Sequence, residues 1–224
     1  MLSQTSTAIQ DYLKALYVLE VERQPDGIAI PTTALAQRLG VSAASTTNML
    51  KKLATLGLVR HAPYKGAELT PDGRKIALEV VRHHRLLETY LAEVMGVPWD
   101  EVHAEAEVLE HVLSERLEDR ISTMLGDPAF DPHGHPIPGK DGSVPQASTR
   151  TLWEVEAGAS AAVERVSDDE PEALRYLARI GVRPGSSITV LRRGPVEGPL
   201  FIEVEGRDGS DALSKEVARA VWVR

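Results

Sequence analysis

Apolar residues near the start of the chain recur every three to four positions: Ile9, Leu13, Leu16, Tyr17 and Leu19 in STAIQDYLKALYVLEVE, residues 6 to 22. That period predicts an amphipathic helix with Ser6 or Thr7 as its N-cap. After the turn PDGIAI, Thr32 or Thr33 is expected to cap a short helix, TALAQRLG, which Gly40 stops; VSAASTTNMLKKLATLGLV begins another. Two short helices joined by a tight turn read as a helix-turn-helix. In the second, Met49, Leu50, Leu53 and Leu56 form the apolar side. Ser42, Ala44, Ser45, Thr46, Thr47, Asn48, Lys51 and Lys52 make up the small, polar and basic remainder, which suits contact with the major groove of DNA. The segment LVRHAPYKGAELTPDG then shows two short extended runs about a Tyr64-Lys65-Gly66 turn, followed by Thr70 and Pro71 as N-cap and first residue of the next helix. This hairpin is a wing, and Arg60, His61 and Lys65 are placed to touch phosphate.

From Pro71 the pattern lengthens. PDGRKIALEVVRHHRLLETYLAEVMG reads as one long helix, VPWD as a turn with Asp100 as an N-cap, and VHAEAEVLEHVLS as a further helix that ERLEDRISTML continues. Leu86, Leu87, Tyr90, Leu91, Val94 and Met95 offer more apolar surface than a lone helical hairpin can bury, which predicts a homodimer interface. Residues 126 to 151 are dense in Pro, Gly and Ser without periodicity and read as a linker or ordered loop. Beyond about Trp153 the pattern alternates. AAVERVS, SSITVLRR, PLFIEVEG and VARAVWV are strand-like, with one helix from Pro171 to Ile180 between the first two, as in a small β-barrel. The fold class is therefore α+β: a winged helix-turn-helix domain (residues 1–72), an all-α dimerisation and metal-binding domain (73–150) and a small barrel (151–224).

Charge sharpens this division. The whole chain carries −8, but residues 1–70 are net +2, residues 71–125 net −6 and the remainder net −4. A weakly basic first domain suits DNA binding of modest, salt-sensitive affinity, which two copies would strengthen. With no cysteine among 224 residues, disulfides, zinc ribbons and thiol chemistry are excluded, so any metal must be held by nitrogen and oxygen. No apolar run approaches the roughly 20 residues of a membrane helix, and MLSQTSTAIQDYL lacks the basic start and apolar core of a signal peptide. The expectation is a cytoplasmic protein without membrane contact.

The acidic middle holds the candidate chemistry. At 100° per residue, His103, Glu107, Glu110 and His111 fall within an arc of roughly 100° on one helix face, with Val102, Leu109, Val112 and Leu113 beside them. A solvated face does not need four ligand-capable side chains on one stripe, so a metal site is the first reading. His84 and Glu88, at i and i+4, are spaced to reach one ion. Asp11 by itself reads as a first-turn carboxylate. His133 and His135, in the irregular loop, read as incidental.

Taken together these residues resemble the diphtheria toxin repressor family of metal-dependent transcription regulators, and most nearly its manganese-responsive branch. The resemblance spans nearly the whole chain: winged helix, helical domain with E-x-x-H, the DPHGHPIP loop and an SH3-like third domain. It implies that Asp11, just before Tyr12 and Leu13, is a first-helix metal ligand joined by Glu107, Glu110 and His111, and that His84, Glu88 and His103 form a second site. Long members lend a Glu and a nearby Gln from the third domain to that second site. The Glu matches Glu170 and the Gln position is Ala173, with Glu172 as a substitute and Asp168 and Asp169 nearby in an acidic turn. Where iron-sensing members carry Met and Cys, this chain has Asp11 and Glu107, a change that favours Mn(II) over softer ions, with Fe(II) the second candidate and Zn(II), Co(II) or Cd(II) able to occupy the site in vitro. The chain departs from the manganese branch at Lys14, where that branch has a second acidic ligand three residues after the Asp.

The expected function is thus a metal-dependent DNA-binding transcriptional regulator, a repressor acting as a homodimer on a palindromic double-stranded operator. The sequence also admits two rival readings. A winged-helix regulator sensing an organic ligand would make the His and Glu residues surface groups. A metalloenzyme is disfavoured because no nucleophile elbow or phosphate loop is present.

Overall fold

The computed structural model describes residues 5–22, 29–62 and 65–224. The chain forms two compact units, residues 1–84 with 110–113 and 138–143, and residues 85–109 with 114–137 and 144–224.

The first unit contains α1 (Thr7–Glu22), α2 (Thr32–Arg38), α3 (Ala43–Thr55), the antiparallel hairpin of β1 (Val59–Ala62) and β2 (Gly66–Leu69), and the beginning of α4 (Pro71–Glu93). Its core is assembled from the apolar stripes the periodicity marked, with Leu13 and Leu16 of α1, Leu35 of α2, Leu50 and Leu53 of α3 and Val80 and Val81 of α4 almost fully buried. Burial of that many aliphatic side chains, each contributing roughly 1.5–3 kcal/mol, is what holds short helices of marginal intrinsic stability. Ser42 caps α3 by accepting from the Ser45 amide at 3.1 Å, and Thr70 caps α4 by accepting from the Gly73 amide, also at 3.1 Å. At Gly73 a Cβ would lie 1.9 Å from the Leu58 carbonyl oxygen, so only glycine lets α4 start this close to the hairpin. The residue preceding α2 is Pro31, so the N-cap expected at Thr32 or Thr33 is one or two positions late. The wing gains a third segment by an antiparallel bridge between Ile30 and Ala67. Most of the PDGIAI turn and Tyr64 of the wing turn lie outside the described residues.

The second unit contains the rest of α4, α5 (Val102–Leu109), α6 (Glu115–Met124), β3 (Ser160–Val166), α7 (Pro171–Arg179), β4 (Ser187–Arg193), β5 (Leu200–Val204), β6 (Asp211–Leu213), α8 (Lys215–Arg219) and β7 (Val221–Val223). The strands form one antiparallel sheet in the order β6-β5-β4-β3-β7. Strand β6 and helix α8 were hidden in the separator RDGSDALSK and the VARAVWV run, both too short to show a period. The core of this sheet includes Val163, Leu174, Leu177, Ile188, Leu200, Ile202 and Val221, and it takes in Trp99 from the turn before α5.

Two features of the second unit bear on the site. Helix α5 stops at Leu109 and Ser114 caps α6, so the helix expected to run through VHAEAEVLEHVLS is interrupted and Glu110 to Leu113 leave it. The irregular loop is an ordered element. Asp131 Oδ1 accepts from the amides of His133 at 2.8 Å and His135 at 3.0 Å, and the Val166 amide donates to the His133 carbonyl at 2.9 Å. Gly134, with φ of 88°, has the Glu164 carbonyl oxygen 2.1 Å from where a Cβ would stand. Of the apolar residues expected at a dimer interface, Leu86, Leu87 and Leu91 are buried within the single chain, whereas Val94 and Met95 are exposed together with Val108, Leu109, Leu117 and Met124.

Candidate metal centres and DNA-facing helix

In the first unit, helix α1 presents Gln10, Asp11 and Lys14, α4 presents His83 and His84, and the turn after α5 presents Glu110 and His111. His111 Nε2 lies 2.9 Å from Asp11 Oδ1 and 3.5 Å from Glu110 Oε1. One donor atom from each of these three residues lies within 4.8 Å of the other two. The other imidazole nitrogen, His111 Nδ1, is 2.7 Å from Gln10 Oε1. The Gln10 amide nitrogen is committed to Thr5, 3.2 Å from its carbonyl oxygen and 3.2 Å from its hydroxyl, so the Gln10 oxygen faces the ring as acceptor. With Nδ1–H donated to Gln10, a neutral His111 turns its Nε2 lone pair toward the two carboxylates, the orientation a metal ligand requires.

Glu110 is the centre of this group. It is fully buried, and among the described residues its Oε1 has no hydrogen-bond partner. Its Oε2 lies 2.6 Å from Lys14 Nζ and 2.5 Å from His84 Nδ1. Burial by itself would raise its pKa, but the contact with His84 and the charge of Lys14 outweigh it and hold the carboxyl below the ordinary range. A buried carboxylate oxygen without a donor, set beside a second carboxylate and an imidazole lone pair, suits a divalent cation. The donor set Asp11, Glu110 and His111 is two oxygens and one nitrogen.

In the second unit a denser cluster surrounds Glu88. His103 Nδ1 lies 3.1 Å from Glu88 Oε1 and 3.2 Å from Asp168 Oδ2. The loop adds Asp131, His133 and His135, three donors mutually within 4.8 Å, with His133 Nδ1 3.7 Å from Glu88 Oε2 and His135 Nδ1 3.9 Å from Asp168 Oδ2. His133 Nε2 is 2.7 Å from the Trp99 carbonyl, to which it donates, and Nδ1 on the other side of the ring faces Glu88. Burial favours the neutral form of both rings, yet the carboxylates win: Asp168 and Glu88 carry His103 up to about 10. Glu88, Asp168 and Asp131 carry His133 up to about 9. Asp168 is correspondingly driven far below the carboxylate range, burial being opposed by the charge of His135 and the hydrogen bond to His103. Three carboxylates in so little water need positive charge, which protons on the rings or a metal ion would supply.

Among the residues the sequence singled out, Asp11, Glu110 and His111 are brought together, and so are Glu88 and His103. His84 sits in the first unit against Glu110 and Lys14. Glu107, half exposed in the second unit, lies 3.6 Å from His103 Nε2. Glu170 is exposed at the N-cap of α7, and it is Asp168, two residues earlier, that meets His103. Gln10 carried no ligand signal, since its contribution is an orientation. His133 sat in a loop whose order comes from contacts with β3. At the N-cap and along α3, Ser42, Ala44, Ser45, Asn48, Lys51 and Lys52 are exposed and Thr47 is partly so; Arg60 and Lys65 of the wing are exposed. Thr46 differs from the sequence reading: it is buried and its hydroxyl donates to the Ser42 carbonyl at 3.0 Å, fastening the helix start from inside.

A winged helix with an exposed polar recognition helix, whose first helix also carries cation donors, defines a metal-dependent DNA-binding regulator. Residues 4–67 match the family model described as the iron dependent repressor N-terminal DNA binding domain, residues 70–139 its metal binding and dimerisation domain, and residues 150–224 the FeoA domain, which is SH3-like. The chain is 36% identical to the iron-dependent repressor IdeR of Mycobacterium leprae, over 95% of this chain and 94% of the relative. It is 29% identical to the diphtheria toxin repressor of Corynebacterium diphtheriae over 88% of each. Among solved structures, a manganese-dependent transcriptional repressor in complex with manganese superposes with a TM-score of 0.89 at 44% identity, covering 96% of this chain and 98% of that one. The manganese regulator SloR gives 0.79 at 29% identity, with 96% and 97% covered. The chain belongs to the iron-dependent repressor family of metal-dependent DNA-binding transcription regulators, and it is not an enzyme.

Proposed function

We propose that this chain is a Mn(II)-sensing repressor of metal-homeostasis genes, with Fe(II) as the second physiological candidate and Zn(II), Co(II) or Cd(II) able to occupy its sites in vitro. The observation that carries this is the donor set Asp11, Glu110 and His111 around a buried, undonated carboxylate oxygen. It is free of sulfur, as is the acidic Glu107 position, and oxygen-rich sets suit harder ions. The likeness to a repressor solved with manganese supports the same reading.

Asp11, Glu110 and His111 would hold the regulatory ion, and Glu88, His103 and Asp168, with Asp131 and His133 from the loop, a second one. When bound, a divalent ion supplies positive charge and a point of attachment between carboxylates. Asp11 lies on α1, which packs in the same core as the recognition helix α3, so ligation that draws Asp11 toward Glu110 and His111 restrains the DNA-reading domain. In a homodimer that restraint sets the spacing of two recognition helices on palindromic half-sites about 34–36 Å apart. Coupling of this kind is typically about 1–3 kcal/mol, or about 5–150-fold in affinity. Ser42, Ala44, Ser45, Thr47, Asn48 and Lys51 would face base edges or phosphate, and Arg60 and Lys65 the backbone. The domain division is 1–72, 73–150 and 151–224, and the protein works in the cytoplasm.

Operator binding followed by fluorescence anisotropy, with and without Mn(II), tests the reading. Binding should tighten with Mn(II), and Asp11→Asn or His111→Ala should abolish most of the gain. Variants that keep the full response would refute this site.

A further inference from the structure

Lys14 stands one helical turn after Asp11 on α1, so both side chains project to the same side. Its ammonium meets Glu110 Oε2 at 2.6 Å and His84 Nδ1 at 3.0 Å, and only 13% of its side chain is exposed. Glu110 is thereby divided. Its Oε2 is taken up by Lys14 and His84, while its Oε1 turns to His111 and has no hydrogen bond among the described residues. A carboxylate with an imidazole at either end, His84 on one side and His111 on the other, lays out two adjacent cation positions. In carboxylate-bridged pairs of this kind two metal ions stand about 3.5–4 Å apart.

We propose that the Lys14 ammonium is a resident cation filling the position between Glu110 and His84, so that Asp11, Glu110 and His111 take one ion instead of two. Two physical reasons favour the tethered charge over a second ion. A side chain anchored on α1 enters without the loss of translational freedom that a free ion suffers. Expelling it would separate a largely buried ammonium from the buried Glu110 carboxylate, and breaking such a pair is unfavourable to both charges. Lys14 is in this sense a determinant of metal stoichiometry.

The inference rests on the metal-site reading above, and the experiment separates the two. Mn(II) is titrated into the full chain carrying Glu88→Gln, His103→Gln, Asp131→Asn and His133→Gln, which remove the donors of the second cluster, and binding is followed by calorimetry and electron paramagnetic resonance. With Lys14 present, one ion per subunit should bind and give the hyperfine pattern of isolated Mn(II). Lys14→Glu should add one ion per subunit and produce the broadened, exchange-coupled spectrum of ions sharing a carboxylate. Lys14→Arg, which keeps the charge, should retain the single-ion spectrum. A coupled pair in the Lys14 protein overturns the proposal. So does a Lys14→Glu protein of unchanged melting temperature that still binds one isolated ion. If Asp11→Asn combined with His111→Ala leaves the ion count unchanged in the Lys14 protein, the site reading itself fails and this inference with it.

Discussion

His111 Nδ1 and Gln10 Oε1 lie 2.7 Å apart, and that contact decides which nitrogen of the imidazole faces the carboxylates. A ligating histidine commonly depends on such a partner, whose loss lowers metal affinity about 10–100-fold. Gln10→Leu is therefore expected to weaken Mn(II) binding by that factor, read by calorimetry, while Gln10→Glu, which keeps the acceptor, should retain most of it. Equal affinity in the Leu variant would show that the contact orients nothing.

Protonation of the second cluster gives a pH dependence of known sign. In the metal-free chain His103 is raised from 6.5 to about 10 and His133 from 6.5 to about 9. A raised folded pKa contributes stability that is fully present below the unfolded value and is lost as pH rises through the folded value. The metal-free melting temperature should therefore fall across the interval from about pH 7 to 10. Since ligation needs neutral rings, Mn(II) binding at neutral pH should release protons, measurable as a dependence of calorimetric heat on buffer ionisation enthalpy. Absence of proton release would exclude His103 and His133 as ligands.

Gly134 carries a φ of 88°, and a Cβ there would meet the Glu164 carbonyl oxygen at 2.1 Å. Gly134→Ala combines the strain of a left-handed residue, about 1–2 kcal/mol, with overpacking of about 1–3 kcal/mol. It is expected to lower the melting temperature and to weaken metal binding at the cluster that Asp131 and His133 join. Loss at the Asp11 site of equal size would mean that the effect is global.

On the recognition helix the buried and exposed residues should separate. Lys51→Ala is expected to weaken binding to all DNA sequences and to reduce the salt slope by about 0.9 if it contacts one phosphate. Thr46→Val should cost about 1 kcal/mol of stability by removing the hydrogen bond to the Ser42 carbonyl, with little change in DNA selectivity. Salt-dependent anisotropy and thermal melts distinguish them.

Val108 and Met124 are 72% and 64% exposed in the single chain. If they belong to the dimer surface, Val108→Glu or Met124→Glu should shift the chain to monomer in analytical ultracentrifugation and reduce operator affinity, leaving the far-ultraviolet circular dichroism unchanged.

Local pattern determined a large part of this protein. A period near 3.6 marked α1, α3 and α4 because their cores need one buried stripe, alternation marked β3, β4 and β5, and the cysteine-free, acid-rich composition limited any metal to nitrogen and oxygen ligands. Asp11, Glu110 and His111, which the structure brings together, were nameable as candidates from motif resemblance. What the tertiary structure decided is how donors distant in sequence meet. Helix α5 ends at Leu109, so Glu110 and His111 reach Asp11 from a turn and no longer as part of a stripe. Lys14, which the sequence marked only as a departure from the resembled pattern, becomes the partner of a buried carboxylate because α1 packs in one core with α4, which carries His84. Asp168 and His133 enter the second cluster because the loop seats its Gly134 against β3. Periodicity reports which face of an element is buried, whereas the meeting of residues about a hundred positions apart follows from how those faces pack.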